Sequence, residues 1–177
     1  MTGYHTLGET ERAVRERLGG IPLHWEQMHA AANLHRAAAA VRLHFENSVL
    51  RGSDLTWTAF VVLWVVWIWD ELETRHVAAE AGISKGTLTG VVKTIEARGL
   101  VTRTKHATDG RLVVLSLTPQ GKRLMEQLFP AFNAEEVFVT ERLSATECGT
   151  LAELLRAIIT QLEVNGEDRR KTFKTLG

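Results

Sequence analysis

The feature that most constrains the fold is an apolar run of 11 residues from Ala59 to Trp69. A helix needs roughly 18 apolar residues to span a bilayer, so a run of this length predicts no membrane segment. Because such a helix is apolar on almost every side, other elements must cover it from several directions. The surrounding stretch, TWTAFVVLWVVWIWDEL, therefore predicts the central helix of a globular core.

A helix-turn-helix pattern follows the core helix. A short helix is predicted over Thr74 to Ala81, Gly82 supplies a turn, and Ser84 is predicted to cap a further helix ending near Gly99. Two β-rich runs, LVTRT and RLVVLSLT, come next, and the KHATDG between them contains the turn-forming pair Asp109-Gly110. A hairpin directly after a helix-turn-helix predicts a winged helix. The predicted fold class is mainly α with a small β-hairpin wing.

Long amphipathic helices are predicted on both sides of the winged helix. Pro22 suits the first turn of a helix that ends at Gly52, and Ser53 or Asp54 is then expected to cap the core helix. The apolar positions of the first long helix have helical spacing: Leu34, Ala38, Val41, Phe45 and Val49. Before it, a short charged helix is predicted, with Glu11 four residues ahead of Arg15 and Gly19-Gly20 as its end.

Two further helices are predicted at the C-terminal side. Thr118-Pro119 is expected to start a long helix in which Pro130 makes a kink. Ser144 and Glu147 form a capping-box pattern for the last helix, which is expected to end at Asn165-Gly166. Its apolar positions form a broad stripe that comprises Leu151, Leu154, Leu155, Ile158, Ile159 and Leu162.

A small winged helix offers too little surface to cover the apolar stripes of these terminal helices, so we expect a symmetric homodimer. The predicted parts are an N-terminal extension (1–21), a dimerisation helix (22–52), a winged helix-turn-helix domain (53–121), C-terminal dimerisation helices (122–164) and a polar tail (165–177).

Basic residues are concentrated in the predicted winged helix. The chain has 21 basic and 21 acidic residues, which gives a formal net charge of zero. Between Gly82 and Arg123, however, eight basic and two acidic residues give +6, and the remainder of the chain carries −6. An acidic scaffold repels DNA everywhere except at the winged helix, so this segregation favours oriented binding to nucleic acid.

The predicted recognition helix supplies candidate DNA contacts. Side-chain hydroxyls and free backbone N–H groups in its first turns can reach phosphates or base edges. In the hairpin, Arg111 beside Asp-Gly is placed to enter a narrow minor groove, and an ion pair with Asp109 is the alternative. For Thr87 and Thr89 the alternative is simple solvent exposure. The candidates from the residues alone are Ser84, Lys85, Gly86, Thr87, Thr89, Lys93 and Arg111.

The stretches LTWTAF, GISKGTLTGVVKTIEARGLVTR, TDGR and LSLTPQG, which occur in this order between Leu55 and Gly121, resemble the MarR family of winged-helix transcription factors. The resemblance implies a homodimer with intertwined terminal helices that binds a pseudo-palindromic double-stranded DNA operator and usually represses nearby genes. It also implies that a small molecule, often a phenolic or other aromatic acid, binds between the dimerisation helices and the DNA-binding lobe and weakens operator affinity.

The resemblance adds residues to the candidate DNA surface. Ser84, Thr87 and Thr89 match recognition-helix positions, and Asp109 and Arg111 match the wing motif. Arg103 matches the basic residue that enters the wing, where it is expected to pair with a phosphate or to brace the hairpin. Gly110 departs from the family, which commonly has a second Arg there, so the wing is expected to bind more weakly unless Lys105 and His106 compensate.

Tryptophan is abundant, and four of the five Trp residues lie on the core helix. Trp57 and Trp64 are seven residues apart and share a face, whereas Trp69 points elsewhere. Core and dimer packing is the favoured explanation. The alternative is an aromatic-lined pocket for a planar effector, and the N-terminal extension resembles that of the urate-responsive branch of the family. The ligand-binding candidates are Trp25, His35, Arg42, His44, Trp57 and Trp64.

Other chemistries are not indicated. His24 and His29, like His35 and His44, are spaced so that they point apart on a helix, so no metal site or other cofactor is expected. Cys148 has no second cysteine to resolve an oxidised thiol, which favours a structural role. The absence of a P-loop, GxGxxG, HExxH or nucleophile-base set predicts that the chain is not an enzyme.

The localisation and two alternatives follow from the same sequence. One cysteine and an N-terminus without a signal-peptide pattern predict a cytoplasmic protein. A winged helix that contacts only other proteins remains an alternative, as does an activator or metal sensor of the same fold.

Overall fold

The computed structural model describes residues 5–105, 109 and 112–174. The chain divides into two compact units, Met1–Phe132 and Asn133–Gly177. The helices and strands in chain order are α1 (Leu7–Leu18), α2 (Trp25–Asn47), α3 (Trp57–Trp69), β1 (Glu71–Glu73), α4 (Thr74–Glu80), α5 (Lys85–Ala97), β2 (Val101–Lys105), β3 (Val113–Leu117), α6 (Pro119–Val139) and α7 (Ala145–Lys174). The mainly α fold class with a small β wing is confirmed.

The hydrophobic core of the first unit is built around α3, as its apolar run predicts. Val62, Leu63 and Val66 are fully buried, and residues from α2, α4, α5, β3 and α6 pack around them. Burial of each aliphatic side chain of this size contributes roughly 1.5–3 kcal/mol. No helix in the described part of the chain is long and apolar enough to cross a membrane.

The start of α3 differs from the prediction. Thr56, not Ser53 or Asp54, caps the helix, because its hydroxyl accepts the N–H of Ala59 at 3.2 Å. Ser53 ends a short 3-10 turn, and Asp54 adopts the left-handed conformation with φ 51°. The buried side chains of Leu50 and Leu55 anchor both ends of this connection, so the chain reverses before the helix begins.

The end of α3 also differs from the prediction, and it is followed by a short strand that the sequence pattern did not predict. The helix ends at Trp69, because Asp70 has a φ of 64° and breaks the helical path. The following Glu71–Glu73 then pairs antiparallel with β3, which gives a three-stranded sheet of order β1-β3-β2. In the hairpin, Arg103 lies opposite Leu115. Three residues are too few for an alternating pattern to be recognised in sequence.

The N-terminal helices pack on each other. Helix α1 ends before Gly19-Gly20 as predicted, but Glu11 and Arg15 do not pair with each other. Instead Glu11 accepts a hydrogen bond from Asn33 at 3.3 Å, and the Arg15 guanidinium lies 5.9 Å from the ring centre of Trp25. Helix α2 begins at Trp25 rather than at Pro22 and ends at Asn47, before the 3-10 turn that contains Gly52.

Helix α6 begins as predicted, since the Thr118 hydroxyl accepts the N–H of Gly121 at 3.0 Å. Pro130 lies inside the helix, which continues to Val139.

The capping box of α7 is confirmed: the Ser144 backbone donates to the Glu147 carboxylate at 2.8 Å, and the Ser144 hydroxyl accepts the Glu147 N–H at 3.3 Å. The predicted end of α7 at Asn165-Gly166 is wrong, because the helix continues to Lys174 and the residues expected to form a polar tail are helical up to that point. Lys171 pairs with Glu167 at 3.1 Å and with Asp168 at 2.9 Å, and such pairs one turn apart stabilise a helix that contains Gly166. These two carboxylates also raise the pKa of Lys171.

Candidate nucleic-acid interface

Helices α4 and α5 form the predicted helix-turn-helix. Val77 and Ala78 of α4 are buried, and Gly82 supplies the turn with a φ of 63°. On α5, the side chains of Leu88, Val92 and Ile95 are buried at helical spacing, so this face packs on the core and the opposite face is left to solvent. The turn and the buried stripe therefore fix which side of α5 is available to a partner.

The exposed face of α5 carries hydroxyl, lysine and glycine residues. Ser84 caps the helix by accepting the Thr87 N–H at 3.0 Å, and the Ser84 and Thr87 hydroxyls lie 2.8 Å apart. Thr89 donates its hydroxyl to the Lys85 carbonyl oxygen at 2.9 Å. The hydroxyls thus hydrogen-bond within α5 and its cap. The predicted contacts that the structure brings together on this face are Ser84, Lys85, Gly86, Thr87, Thr89 and Lys93, all of them exposed.

Two glycines lie one turn apart on the same exposed face. A Cβ built on Gly90 meets no atom within 4 Å, and one on Gly86 meets only the Ser84 hydroxyl at 3.8 Å. Packing within the protein therefore gives no reason for glycine at either position, although glycine inside a helix costs roughly 0.5–1 kcal/mol relative to alanine. Gly86 is among the residues predicted to contact DNA, and Gly90 is not in that set.

The wing is braced against the recognition helix by an ion pair. Arg103 of β2 donates from Nε to the Glu96 carboxylate at 3.1 Å and from Nη2 to its second oxygen. Of the two roles predicted for Arg103, the geometry corresponds to the hairpin brace. Lys105 is exposed at the end of β2, and the Asp109 carbonyl accepts the N–H of Leu112 at 2.9 Å. His106, Gly110 and Arg111 lie outside the described residues.

Several basic residues of the +6 segment, Gly82 to Arg123, bind other groups of the protein itself. Besides Arg103, Lys122 pairs with Asp70 at 3.1 Å, and Arg98 donates to the Ser53 carbonyl oxygen at 2.8 Å. In the part of the chain that the structure describes, Lys85 and Lys93 make no ion pair. Among the described basic residues of this segment, the exposed ones without an ion pair are Lys85 and Lys93 on α5, Lys105 on β2 and Arg123 on α6. No local pattern indicated the roles of Arg98 and Glu96, because their partners are distant or on another element.

A cavity of about 440 Å³ lies between α4, α5 and the hairpin. Arg103, Lys85 and Thr89 supply polar groups to its wall, and Leu88 and Val92 supply apolar surface. Glu73 and Arg75 also line it, and the Glu73 carboxylate contacts Arg75 Nε at 2.7 Å. The wall therefore combines apolar surface with basic side chains and one carboxylate.

The predicted ligand-binding residues are not gathered in one place. Trp57 packs on Phe132, with 6.2 Å between ring centres, and Trp64 stacks on Phe129 at 4.7 Å, which confirms that these two Trp share a face. Trp25 and His44 lie 19 residues apart on α2, a separation of about 28 Å along the helix.

The other members of the predicted set make separate contacts. The His44 ring packs edge-on against Phe45, with 5.9 Å between centres, whereas His35 is exposed. Arg42 pairs with Glu46 at 3.2 Å. Over the described ranges, no group of three or more His, Cys, Asp or Glu side chains could hold a metal ion.

A helix whose exposed N-terminal turns carry hydroxyls and lysines, mounted on a helix-turn-helix beside a hairpin, is the arrangement by which winged helix-turn-helix transcriptional regulators read DNA. Known proteins agree with this class. Residues 55–113 match the model of the MarR family. The chain is 36% identical to YwaE of Bacillus subtilis, an uncharacterised HTH-type transcriptional regulator, over 90% of this chain and 95% of that protein. The chain belongs to the MarR family, and it is a transcriptional regulator rather than an enzyme.

Solved structures show the same fold. The chain superposes on BpsR of Bordetella bronchiseptica, a protein whose DNA binding is regulated by 6-hydroxynicotinic acid, with a TM-score of 0.68 and 26% identity over 73% of this chain and 98% of that one. It superposes on a mutant of MarR from E. coli in complex with operator DNA with a TM-score of 0.70 and 23% identity over 77% of this chain and 98% of that one.

Proposed function

We propose that this regulator is a repressor that binds a pseudo-palindromic operator as a homodimer and is released by a small aromatic acid. The observation that carries the proposal is the exposed face of α5. It presents three hydroxyls, two lysines without ion-pair partners in the described chain, and two glycines in its first two turns, where the missing side chains leave room for close approach of a partner.

The homodimer is supported by the exposed apolar surface of α7. Leu154, Ile159 and Leu162 have exposed fractions of 60%, 54% and 60%, respectively. The buried hydrophobic core of the described chain comes entirely from residues up to Phe132, so the second unit has no core of its own. A contiguous apolar stripe of this length on a regulator favours burial against a second copy of the same helix.

A dimer gives each α5 a role in one half-site. The N-terminal turns of α5 enter the major groove, where Ser84, Thr87 and Thr89 reach base edges or nearby phosphates. Lys85 and Lys93 neutralise phosphates, Lys105, Asp109 and Arg111 belong to the wing beside the adjacent minor groove, and Arg103 holds that wing in place. Two such helices related by a two-fold axis require half-sites separated by about one helical turn, roughly 34–36 Å.

The effector is supported by the cavity between α4, α5 and the hairpin. Arg103 and Lys85 line it, and a bound carboxylate there competes with Glu96 for Arg103 and with DNA phosphates for Lys85. The regulation of BpsR by 6-hydroxynicotinic acid supports an aromatic acid as the chemical class. The face that carries Trp57 and Trp64 is the second place for a planar ligand, and Arg42 pairs with Glu46, which also accepts the Trp57 N–H.

DNA binding is tested by measuring the affinity for the duplex upstream of the protein's own gene at several salt concentrations. We expect log affinity to fall linearly with log salt, and Lys93→Gln to reduce the slope by about one. Thr87→Val and Thr89→Val are expected to change base preference while leaving the slope unchanged. Absence of binding, or a flat salt response, would favour a winged helix used only for protein contacts.

The effector is tested by a thermal-shift screen of aromatic acids, phenols and purines, with 6-hydroxynicotinic acid included. A ligand that prefers the folded dimer raises its melting temperature in a concentration-dependent way. For an acid bound in the described cavity, Arg103→Gln abolishes the shift, whereas Trp64→Phe leaves it intact. The reverse pattern assigns the ligand to the tryptophan face. A ligand that stabilises the protein without lowering operator affinity contradicts release.

A further inference from the structure

Arg98 joins the end of the recognition helix to a distant part of the chain. It follows the last residue of α5, and its half-buried guanidinium donates to the carbonyl oxygens of Ser53, at 2.8 Å, and of Asp54. These carbonyls are 45 and 44 residues away in sequence, in the connection between α2 and α3. A charged donor makes hydrogen bonds to backbone carbonyls roughly twice as strong as a neutral donor does.

The geometry of the connection suits a guanidinium. Ser53 ends the short 3-10 turn, and Asp54 then takes the left-handed conformation with ψ 44°. This reversal leaves two successive carbonyl oxygens facing one planar fork of N–H donors. A lysine ammonium carries the same charge but no rigid fork, so it is poorly suited to hold both carbonyls in fixed positions.

The same connection is bound to α2 on its other side. Glu46 of α2 accepts the backbone N–H of Trp57 at 3.2 Å, at the start of α3. The Trp57 ring packs against Phe45 of α2, with 5.9 Å between ring centres. A continuous series of contacts therefore runs from α2 through Trp57 and the residues before it to Arg98 and the end of α5.

We infer that Arg98 is a positioning residue, which holds the C-terminal end of the recognition helix against the α2–α3 connection and thereby couples the placement of α5 to α2. The inference rests on the proposed function, because its consequence is operator affinity. Although Arg98 is one of the basic residues of the winged helix, its terminal nitrogens are directed at protein carbonyls. It therefore strengthens DNA binding without neutralising a phosphate.

The test uses the full chain and a duplex that spans the promoter of its own gene, with wild type, Arg98→Gln, Arg98→Lys and, as the matched basic residue on α5, Lys93→Gln. We expect Arg98→Gln to lower affinity about tenfold with an unchanged salt slope, because the loss of charge-assisted hydrogen bonds is not a loss of counterion release. Arg98→Lys is expected to restore little of this loss. Lys93→Gln is expected to reduce the slope by about one.

A spectroscopic measurement separates positioning from general destabilisation. The protein is labelled with 5-fluorotryptophan, and the Trp57 fluorine resonance is assigned with Trp57→Phe. Saturating duplex is expected to shift this resonance in wild type and to leave it unshifted in Arg98→Gln. If Arg98→Gln does not fold, the same comparison is made with Arg98→Lys, which retains the charge.

The outcomes are distinguishable. The inference is overturned if Arg98→Gln binds with wild-type affinity or loses as much salt slope as Lys93→Gln does. It is also overturned if Arg98→Lys restores full affinity, or if the Trp57 resonance of the variant responds to duplex as in wild type. Each of these results leaves the proposed function standing. A wild-type protein that binds no duplex overturns the proposed function itself.

Discussion

The guanidinium of Arg103 on β2 is held by both carboxylate oxygens of Glu96 on α5, with Nε at 3.1 Å from Oε1. The hydrogen bonds and the charge of Glu96 raise the pKa of Arg103. This pair connects the recognition helix to the first strand of the wing, the two elements that are proposed to enter adjacent grooves. In the proposed DNA complex, Arg103 would therefore shape the binding surface, and other basic residues would contact phosphates.

A double-mutant cycle on this pair separates bracing from phosphate contact. We expect Glu96→Ala and Arg103→Ala each to weaken operator binding about two- to fivefold, the range that an exposed ion pair typically contributes, because either change frees the wing. The double variant is expected to bind no more weakly than the single variants, since the interaction can be lost only once. Operator affinity is measured for all four proteins at one salt concentration.

The salt dependence of operator binding tests the opposite role, in which Arg103 contacts a phosphate. If Arg103 bound a phosphate, Arg103→Ala would lower the slope by about one, and Glu96→Ala would strengthen binding by removing a competing carboxylate. Either result contradicts the brace. Lys105→Ala, which removes an exposed charge at the end of the same strand, serves as the control that changes charge without breaking the pair.

The sequence pattern predicted α5 because its signals are local: Ser84 caps it, and Leu88, Val92 and Ile95 recur at helical spacing. The relationship between Arg103 and Glu96 has no local signal. It depends on the fold of the hairpin back onto α5, and an arginine that enters a wing is equally consistent with DNA contact. Local patterns thus predicted which residues face solvent. Tertiary packing decided which of them already form ion pairs within the protein.

Gly90 provides a test of how closely DNA approaches α5. We expect Gly90→Ala to raise the free energy of unfolding by roughly 0.5–1 kcal/mol, because the helix loses less backbone entropy and the new Cβ meets no atom within 4 Å. The same Cβ occupies the space proposed for DNA, so operator affinity is expected to fall at least fivefold, the loss expected from overpacking of about 1 kcal/mol. Urea unfolding and operator titration measure the two effects.

The matched control is Gly149→Ala on α7, where a Cβ also meets nothing within 4 Å. It is expected to stabilise the protein by a similar amount while leaving operator affinity unchanged. An unchanged affinity in Gly90→Ala would mean that DNA does not come close to this turn of α5.

Position 121 requires glycine because the backbone of Leu100 passes close to it, not because it needs flexibility. A Cβ at this position would lie 2.1 Å from the Leu100 carbonyl oxygen, and Thr118 binds the same segment by donating its hydroxyl to Gly99 at 2.6 Å. Gly121→Ala is therefore expected to lower the free energy of unfolding by about 1–3 kcal/mol. Urea unfolding at one protein concentration measures the change.

Gly52→Ala is the comparison for Gly121, because Gly52 has no neighbouring atom within 4 Å and a substitution there is expected to be nearly neutral. Equal stabilities of the two variants would contradict the close approach of α6 to Leu100. The sequence marks Gly121 only as part of a Leu-Thr-x-x-Gly pattern, and the contact itself is long-range.

Two features of the fold, the end of α3 at Asp70 and the length of α7, were not predicted from the sequence, and each has a physical reason. The break at Asp70 requires a positive φ at a residue other than glycine, and the ion pair with Lys122, at 3.1 Å, is formed only after α6 has packed. The extension of α7 past Asn165-Gly166 was missed because this pair is typical of a helix end. Ion pairs within the next turn, from Lys171 to Glu167 and Asp168, support the helix instead.

The capping box of α7 predicts a pH dependence. The backbone N–H and the hydroxyl of Ser144 donate to the Glu147 carboxylate and lower its pKa. A lowered folded-state pKa contributes stability that is present above the ordinary glutamate range, about pH 4, and is lost as the pH falls through the folded value. We expect Ser144→Ala, which removes the hydroxyl and keeps the backbone donor, to raise the Glu147 pKa part of the way to its usual range. Carbon-detected NMR titration of the Glu147 carboxyl group measures this pKa, and coincident titration curves for the two proteins would show that the hydroxyl does not contribute.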